Sequence, residues 1–202
     1  KSIKEKTTNV SANSFVVSYE NIFSFSDKTA FISYDDIKEF YDPKLMKIYT
    51  QNGNLFSNFK SKKMNLPKSF TLQRNGGVKT IFSINEKVFA LISNTNGKCF
   101  YASIVNVSSG KEVFKSNCLP GKKKKIDFNG LGASNIHLNN NVYLSIGTPT
   151  QNSKLIYELA QNNESIFGKI IEISKSSLDI KPIIFSSGHR NPQGLTKLNN
   201  KI

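Results

Sequence analysis

The stretch "TIFSINEKVFALIS", Thr80 to Ser93, holds an apolar pair, a short polar turn and then a nearly continuous apolar run, the pattern of two strands folded back on each other. It recurs. "NIFSFSDKTAFISY" from Asn21 and "NIHLNNNVYLSIGT" from Asn135 repeat it, and "GLTKLNNKI" from Gly194 begins it again. With Ser24, Ser83, Leu138 and Leu198 taken as equivalent, the copies recur at steps of 59, 55 and 60 residues. Each interval holds further strand-like segments: "LMKIYT" and "NLFSNF" in the first, a cysteine-flanked hairpin in the second, and "LIYELA", "FGKIIEIS" and "IKPIIFSS" in the third.

About four short strands per unit, at nearly fixed spacing with polar turns between, is the sequence pattern of a β-propeller blade. The chain is therefore predicted to be all-β: one β-propeller domain over residues 1–202, with repeats starting near 21, 80, 135 and 193. That is three blades and the start of a fourth, whereas a closed ring needs roughly four to eight. The missing blades are expected from the rest of a longer protein or from a second copy. A β-sandwich is the rival fold, but it gives no reason for regular internal similarity. No long helix is expected: "YDDIKEFYDPKLMK" has helical spacing that Pro43 ends after about two turns.

Composition sets the outer limits. Of 202 residues, 38% are hydrophobic and 11% aromatic, enough apolar material for a sizeable core. No run approaches the roughly 18 apolar residues that span a bilayer, so no membrane span is expected. Lys and Arg number 28 against 14 Asp and Glu, yet the cations are scattered and only Lys122 to Lys125 form a block. Nucleic acid is not the expected partner, because aromatics are not interleaved with the lysines on one face as single-strand readers require.

In "KCFYASIVNVSSGKEVFKSNC", two strands meet near Ser108, Ser109 and Gly110. A loop of Ser108 and Ser109 would place Cys99 opposite Cys118, and a disulfide between them would point to a periplasmic or secreted protein. A loop one residue longer would separate them and leave two free, buried cysteines.

In a propeller, the loops before the first strand of each blade gather at one end of a central channel. Here they read "RNGGVK", "DFNGLGAS" and "GHRNPQGL", each combining glycine with polar side chains. Glycine permits close approach of a ligand to the backbone, so the three loops form the candidate site. The last is the most distinctive, since Pro192 and the two flanking glycines exclude a helix and leave a rigid turn carrying Arg190, Asn191 and Gln193.

"GHRNPQGL", with "FGKIIEIS" about twenty residues upstream, resembles the soluble glucose/sorbosone dehydrogenase family, six-bladed propellers that use pyrroloquinoline quinone. The glycine pair of "NGGV", and "NG" followed by "VYLSIGT", are similar to two further stations of that family. The resemblance spans roughly Arg74 to Ile202. It implies a quinoprotein oxidoreductase that oxidises an aldose at its anomeric carbon by hydride transfer to the quinone. Arg190, Asn191 and Gln193 match the positions that bind this cofactor, whose three carboxylates and ortho-quinone suit a guanidinium fork and two amides. Asn75 and Asn129 are the corresponding substrate-binding candidates.

One departure bears directly on activity. The family places a histidine directly ahead of "NG" as the base for the sugar hydroxyl, and this chain has Phe128 there, which accepts no proton. Asp127 beside it is the remaining catalytic candidate, and a raised pKa would suit it to the task. His137 and His189 are not expected to take over. The family's calcium ligands follow "GHRNPQGL", and nothing here has the spacing of a calcium loop, so metal ligands stay unassigned. Two readings remain open: a sugar dehydrogenase-like propeller, inactive if no base replaces histidine, and a non-catalytic propeller that binds a carbohydrate or protein partner.

Overall fold

The structure, a computed structural model, describes residues 8–10, 13–17, 22–25, 30–33, 47–57, 60–120, 126–177, 179–198 and 201–202. The chain divides into two compact units, Lys1–Met64 and Asn65–Ile202.

In the first unit, β1 (Thr8–Val10), β2 (Asn13–Val17) and β3 (Ile22–Phe25) form a three-stranded antiparallel meander. A four-stranded meander follows, made of β4 (Ala30–Ser33), β5 (Lys47–Thr50), β6 (Asn54–Ser57) and β7 (Lys60–Lys63). Ile48, Tyr49 and Leu55 are buried, whereas β7 is exposed throughout. Its three lysines suit an edge strand, because charge discourages pairing with another chain. β3 and β4 belong to different sheets, so the first predicted copy straddles two sheets. Its turn at 26–29, the helical pattern at 34–46 and the block Lys122 to Lys125 lie outside the described residues.

The second unit holds two larger meanders. β8 (Val78–Ile84), β9 (Lys87–Thr95), β10 (Cys99–Asn106) and β11 (Glu112–Lys115) pair in sequence, and β12 (Leu119–Pro120) joins the free length of β10. β13 (Ala133–Leu138), β14 (Asn141–Ile146), β15 (Lys169–Ser174) and β16 (Ile183–Ser187) form a four-stranded sheet in the same order. Two-residue turns close both opening hairpins, with Ile84 opposite Lys87 and Leu138 opposite Asn141. Asn85 and Glu86 both take positive φ, 47° and 63°, as the turn matching strand twist demands. The equivalent of Leu138 is thus Ile84, one residue after the Ser83 expected from sequence. The fourth copy follows the same rule, with Leu198 bridged to Lys201.

The two sheets share one core, in which Phe82, Leu91 and Ile104 meet Leu144, Ile146 and Ile171. Asn135 Nδ2 ties β13 to β8, donating to Thr80 Oγ1 and Ile81 O, both at 2.9 Å. Among the described residues no helix is long and apolar enough to cross a membrane.

Two expectations change here. "LIYELA" is helical, part of α1 (Ser153–Gln161), where the Asn152 side chain caps the first turn by accepting the Leu155 N–H at 3.0 Å. Leu155, Leu159 and Ala160 lie on its inner face. The cysteines do form a disulfide, with Cα atoms 5.7 Å apart. The hairpin loop, however, is Val107 to Gly110, closed by Asn106 N–H to Lys111 O. Its midpoint is the one expected, but the register shifts between Ile104 and Val105, and Cys99 faces Pro120. Cys118 therefore reaches Cys99 diagonally, from the next residue on the same face of the pleat.

Candidate functional site

All three glycine-bearing loops enter the second unit beside one another. In the first, Arg74 and Asn75 both adopt left-handed backbone, φ 56° and 57°, an uncommon state for side-chain-bearing residues. The turn is held from beneath by Ser93, whose hydroxyl accepts the Gly77 N–H at 2.6 Å and donates to Thr71 O at 2.9 Å. This strained turn presents Asn75 to the second loop.

There Asp127 gathers the contacts. One carboxylate oxygen accepts the Asn129 N–H at 2.9 Å, capping the 3-10 turn Phe128–Leu131, and also accepts Asn75 Nδ2 at 3.0 Å. Its other oxygen accepts Gln151 Nε2 at 2.9 Å. Lys79 stands close, its ammonium donating to Asn75 O at 2.8 Å. Partial burial raises the Asp127 pKa, but the donors Asn129, Asn75 and Gln151 and the Lys79 charge outweigh it. The net shift is downward, opposite to what a general base needs.

The third loop is fixed by its backbone. Gly188 N–H donates to Ala160 O and His189 N–H to Gly168 O, each at 3.0 Å, and Arg190 O accepts both the N–H and the hydroxyl of Thr148. Asn191 and Gln193 sit against the second loop. A Cβ on Gly132 would lie 2.7 Å from Asn191 Oδ1 and 3.0 Å from Gln193 Cγ, and one on Gly147 would lie 3.0 Å from the same oxygen. These two glycines are what let the loop settle there. Arg190 lines a cleft of about 290 Å³ against α1, with Gln151, Tyr157 and Gln161. Asn191 and Arg190 thus serve neighbouring surfaces. His189 is turned to Ser186, 2.9 Å from its hydroxyl, and His137 is exposed on β13.

Phe128 does not face the loops. Its side chain is fully buried, edge-on to Phe100 with ring centroids 5.7 Å apart. The residue expected in the base position is a core anchor, and Asp127 is an ionised latch between loops. Asn129 contributes its backbone to the latch, and its side chain is exposed.

Sequence reading missed the support beneath. Lys169 is fully buried, and its ammonium donates to Leu159 O, Ala160 O and Phe167 O at 2.9, 2.7 and 3.3 Å. It closes the C-terminal end of α1, where partial negative charge collects, and burial pushes its pKa below the ordinary value. Ala160 O also holds Gly188, so helix, lysine and loop form one hydrogen-bonded block. The signal was the apolar setting of a lysine between "FG" and "IIEI".

Among the described residues no three His, Cys, Asp or Glu side chains are grouped so as to hold a metal ion. Arg190 and the amides of Asn191, Gln193 and Gln151 are the groups able to receive an anionic, oxygen-rich ligand. No family model matches the chain, and no curated protein matches it.

Proposed function

We propose that the chain is part of a six-bladed β-propeller of the sugar dehydrogenase type, whose loop cluster holds pyrroloquinoline quinone but lacks a general base. The propeller reading is supported by meanders that follow one another without exchanging strands, and by first strands β8 and β13 tied through Asn135. A sandwich would cross between its sheets. The observation that carries the functional reading is the meeting of the three loops: Asn75 on Asp127, and Asn191 against Gly132 and Gly147.

The donor chemistry fits the quinone. Arg190 would fork a carboxylate, and Asn191 and Gln193 would orient the ring oxygens; the bound quinone would supply the hydride acceptor. Asn75 and Asn129 would border the sugar. With Phe128 in the core and Asp127 held ionised by its donors, no group in this loop is poised to take the sugar's hydroxyl proton. Those same two residues favour the second reading, a non-catalytic propeller for a carbohydrate or protein partner. The disulfide supports an oxidising compartment, periplasmic or secreted.

Reconstitution separates these readings. With quinone and calcium added, saturable quinone binding without dye reduction by aldoses is expected. Rapid turnover would refute the missing base, and absence of binding would favour the partner-binding module.

A further inference from the structure

The stretch "NVSSG", Asn106 to Gly110, carries the Asn-x-Ser acceptor pattern of N-linked glycosylation, and the same pattern stands at Asn9 and at Asn163. In a chain this rich in Asn and Ser the pattern alone selects nothing, so the local geometry has to. Transfer needs the asparagine amide and the hydroxyl two residues on, both within reach of an enzyme. Asn163 is exposed, but Ser165 is 3% exposed and its hydroxyl oxygen accepts the Phe167 N–H at 3.1 Å. Asn9 sits in the middle of strand β1, and its Ser11 lies outside the described residues. Asn106 stands at the mouth of the β10–β11 loop, where its Oδ1 accepts the N–H groups of Ser108 and Ser109, both at 3.0 Å. Its Nδ2 has no partner among the described residues, and Ser108 is exposed with its hydroxyl equally uncommitted. An open cleft of about 500 Å³ adjoins Asn106, bordered by Asn85, Lys87, Ser109 and Lys111.

We infer that Asn106 is an acceptor site for an N-linked oligosaccharide. The co-reactant is a lipid diphosphate-linked oligosaccharide, presented by a transferase of the exporting compartment. Asn106 Nδ2 bonds to C1 of the first sugar and the C1–O bond to phosphate breaks. The lipid diphosphate leaves with the electron pair, and the amide releases one proton. The turn suits this chemistry, because it grips the amide through its oxygen and leaves the nitrogen uncommitted. The cleft gives the first sugar room, and the amide, hydroxyl and ammonium groups along it suit a sugar's hydroxyls. The β10–β11 loop lies at the end of its sheet away from the glycine-bearing loops, so a glycan there leaves that cluster open. Acceptance at Asn106 rests on the exported, oxidising compartment and not on the quinone reading.

The test is secretion of the full chain from cultured eukaryotic cells, followed by an amidase that removes N-glycans and leaves aspartate at each modified position. A loss of mass on treatment is expected, with conversion of Asn106 in the peptide map. Ser108→Ala should abolish the modification and Ser108→Thr should keep it. Both changes fall on an exposed side chain and leave Asn106 and its turn bonds in place. Alkylation without reductant shows whether Cys99 and Cys118 are joined, so that failure of the compartment reading is seen separately. A disulfide-bonded chain bare at Asn106, a glycan at Asn9 or Asn163 alone, or modification that survives Ser108→Ala overturns the assignment. Free cysteines together with a bare Asn106 overturn both the assignment and the oxidising compartment.

Discussion

Replacing Lys169 by methionine tests whether the buried ammonium organises the third loop. Methionine matches the length of the lysine stem and fills the same channel, so the change removes three donors with little change in packing. Ala160 O keeps the amide of Gly188, which leaves Leu159 O and Phe167 O as the carbonyls that lose their lysine partner. A buried acceptor left unsatisfied costs about 1–3 kcal/mol, so two cost roughly 2–6 kcal/mol. Leu159 O is only part-buried, and relief from burying a charge offsets more of this, for a net loss of about 1–4 kcal/mol. In a domain of this size that lowers the melting temperature by roughly 3–15 °C. Urea unfolding with an unchanged slope should report the loss, and amide exchange should show where it falls. Gly188 and His189 should lose protection ahead of β10. A loss below about 1 kcal/mol, or protection falling equally everywhere, refutes the lock.

Phe128→His should destabilise the chain by about 2–4 kcal/mol, because an imidazole replaces a fully buried ring that packs on Phe100, and should create no dye-reducing activity; denaturation within 0.5 kcal/mol of the parent would contradict this. Asp127→Asn should flatten the acid limb of stability. The folded pKa of Asp127 is depressed, so its contribution is fully present above the unfolded value, about 3.9, and is lost as pH falls through the lower folded value. Melting curves from pH 6 to pH 2 would refute this if parent and variant ran parallel. Reducing the disulfide, or Cys118→Ser, should cost about 3 kcal/mol for a bridge between residues 19 apart, read by urea midpoint; no shift would mean the β10–β12 pairing holds without it.

Much of the scaffold was legible because it is written in short-range chemistry. Polar pairs such as Asn85–Glu86 and Asn139–Asn140, set between apolar runs, announce tight hairpins; the cysteine spacing brought the two sulfurs near each other but missed the register, since Cys99 faces Pro120. The one-residue error at Ser83 arose because both neighbours fit the alternation, and only the pairing of Ile84 with Lys87 fixes the turn. "LIYELA" misled for a related reason: a short apolar run does not reveal its period, and the decisive residue, Asn152, stands outside it. Lys169 was hidden by a sound prior, since lysine is rarely buried without compensation, and its compensation comes from carbonyls of a helix that was itself missed. The orientation of Phe128 follows from packing against Phe100, which no local pattern encodes.

The role of Asp127 follows from the way the loops are brought together. Loops separated by 52 residues meet at this carboxylate, and they do so because it accepts Asn75 as well as its own cap. Each donor that ties a loop to Asp127 also stabilises its ionised form and lowers its appetite for a proton. Latch and base are therefore opposed demands on one side chain, and the geometry answers the first. A histidine ahead of "NG" would relieve the conflict by separating the two tasks, but here that position has been given to the core through Phe128. Any proton transfer at this loop cluster has to come from a residue outside the second loop. If the loop cluster holds the quinone as proposed, supplying an external base such as imidazole is expected to produce aldose oxidation in proportion to its concentration, whereas substituting Asp127 is not; a quinone-binding chain that stays inactive in imidazole would refute the missing base.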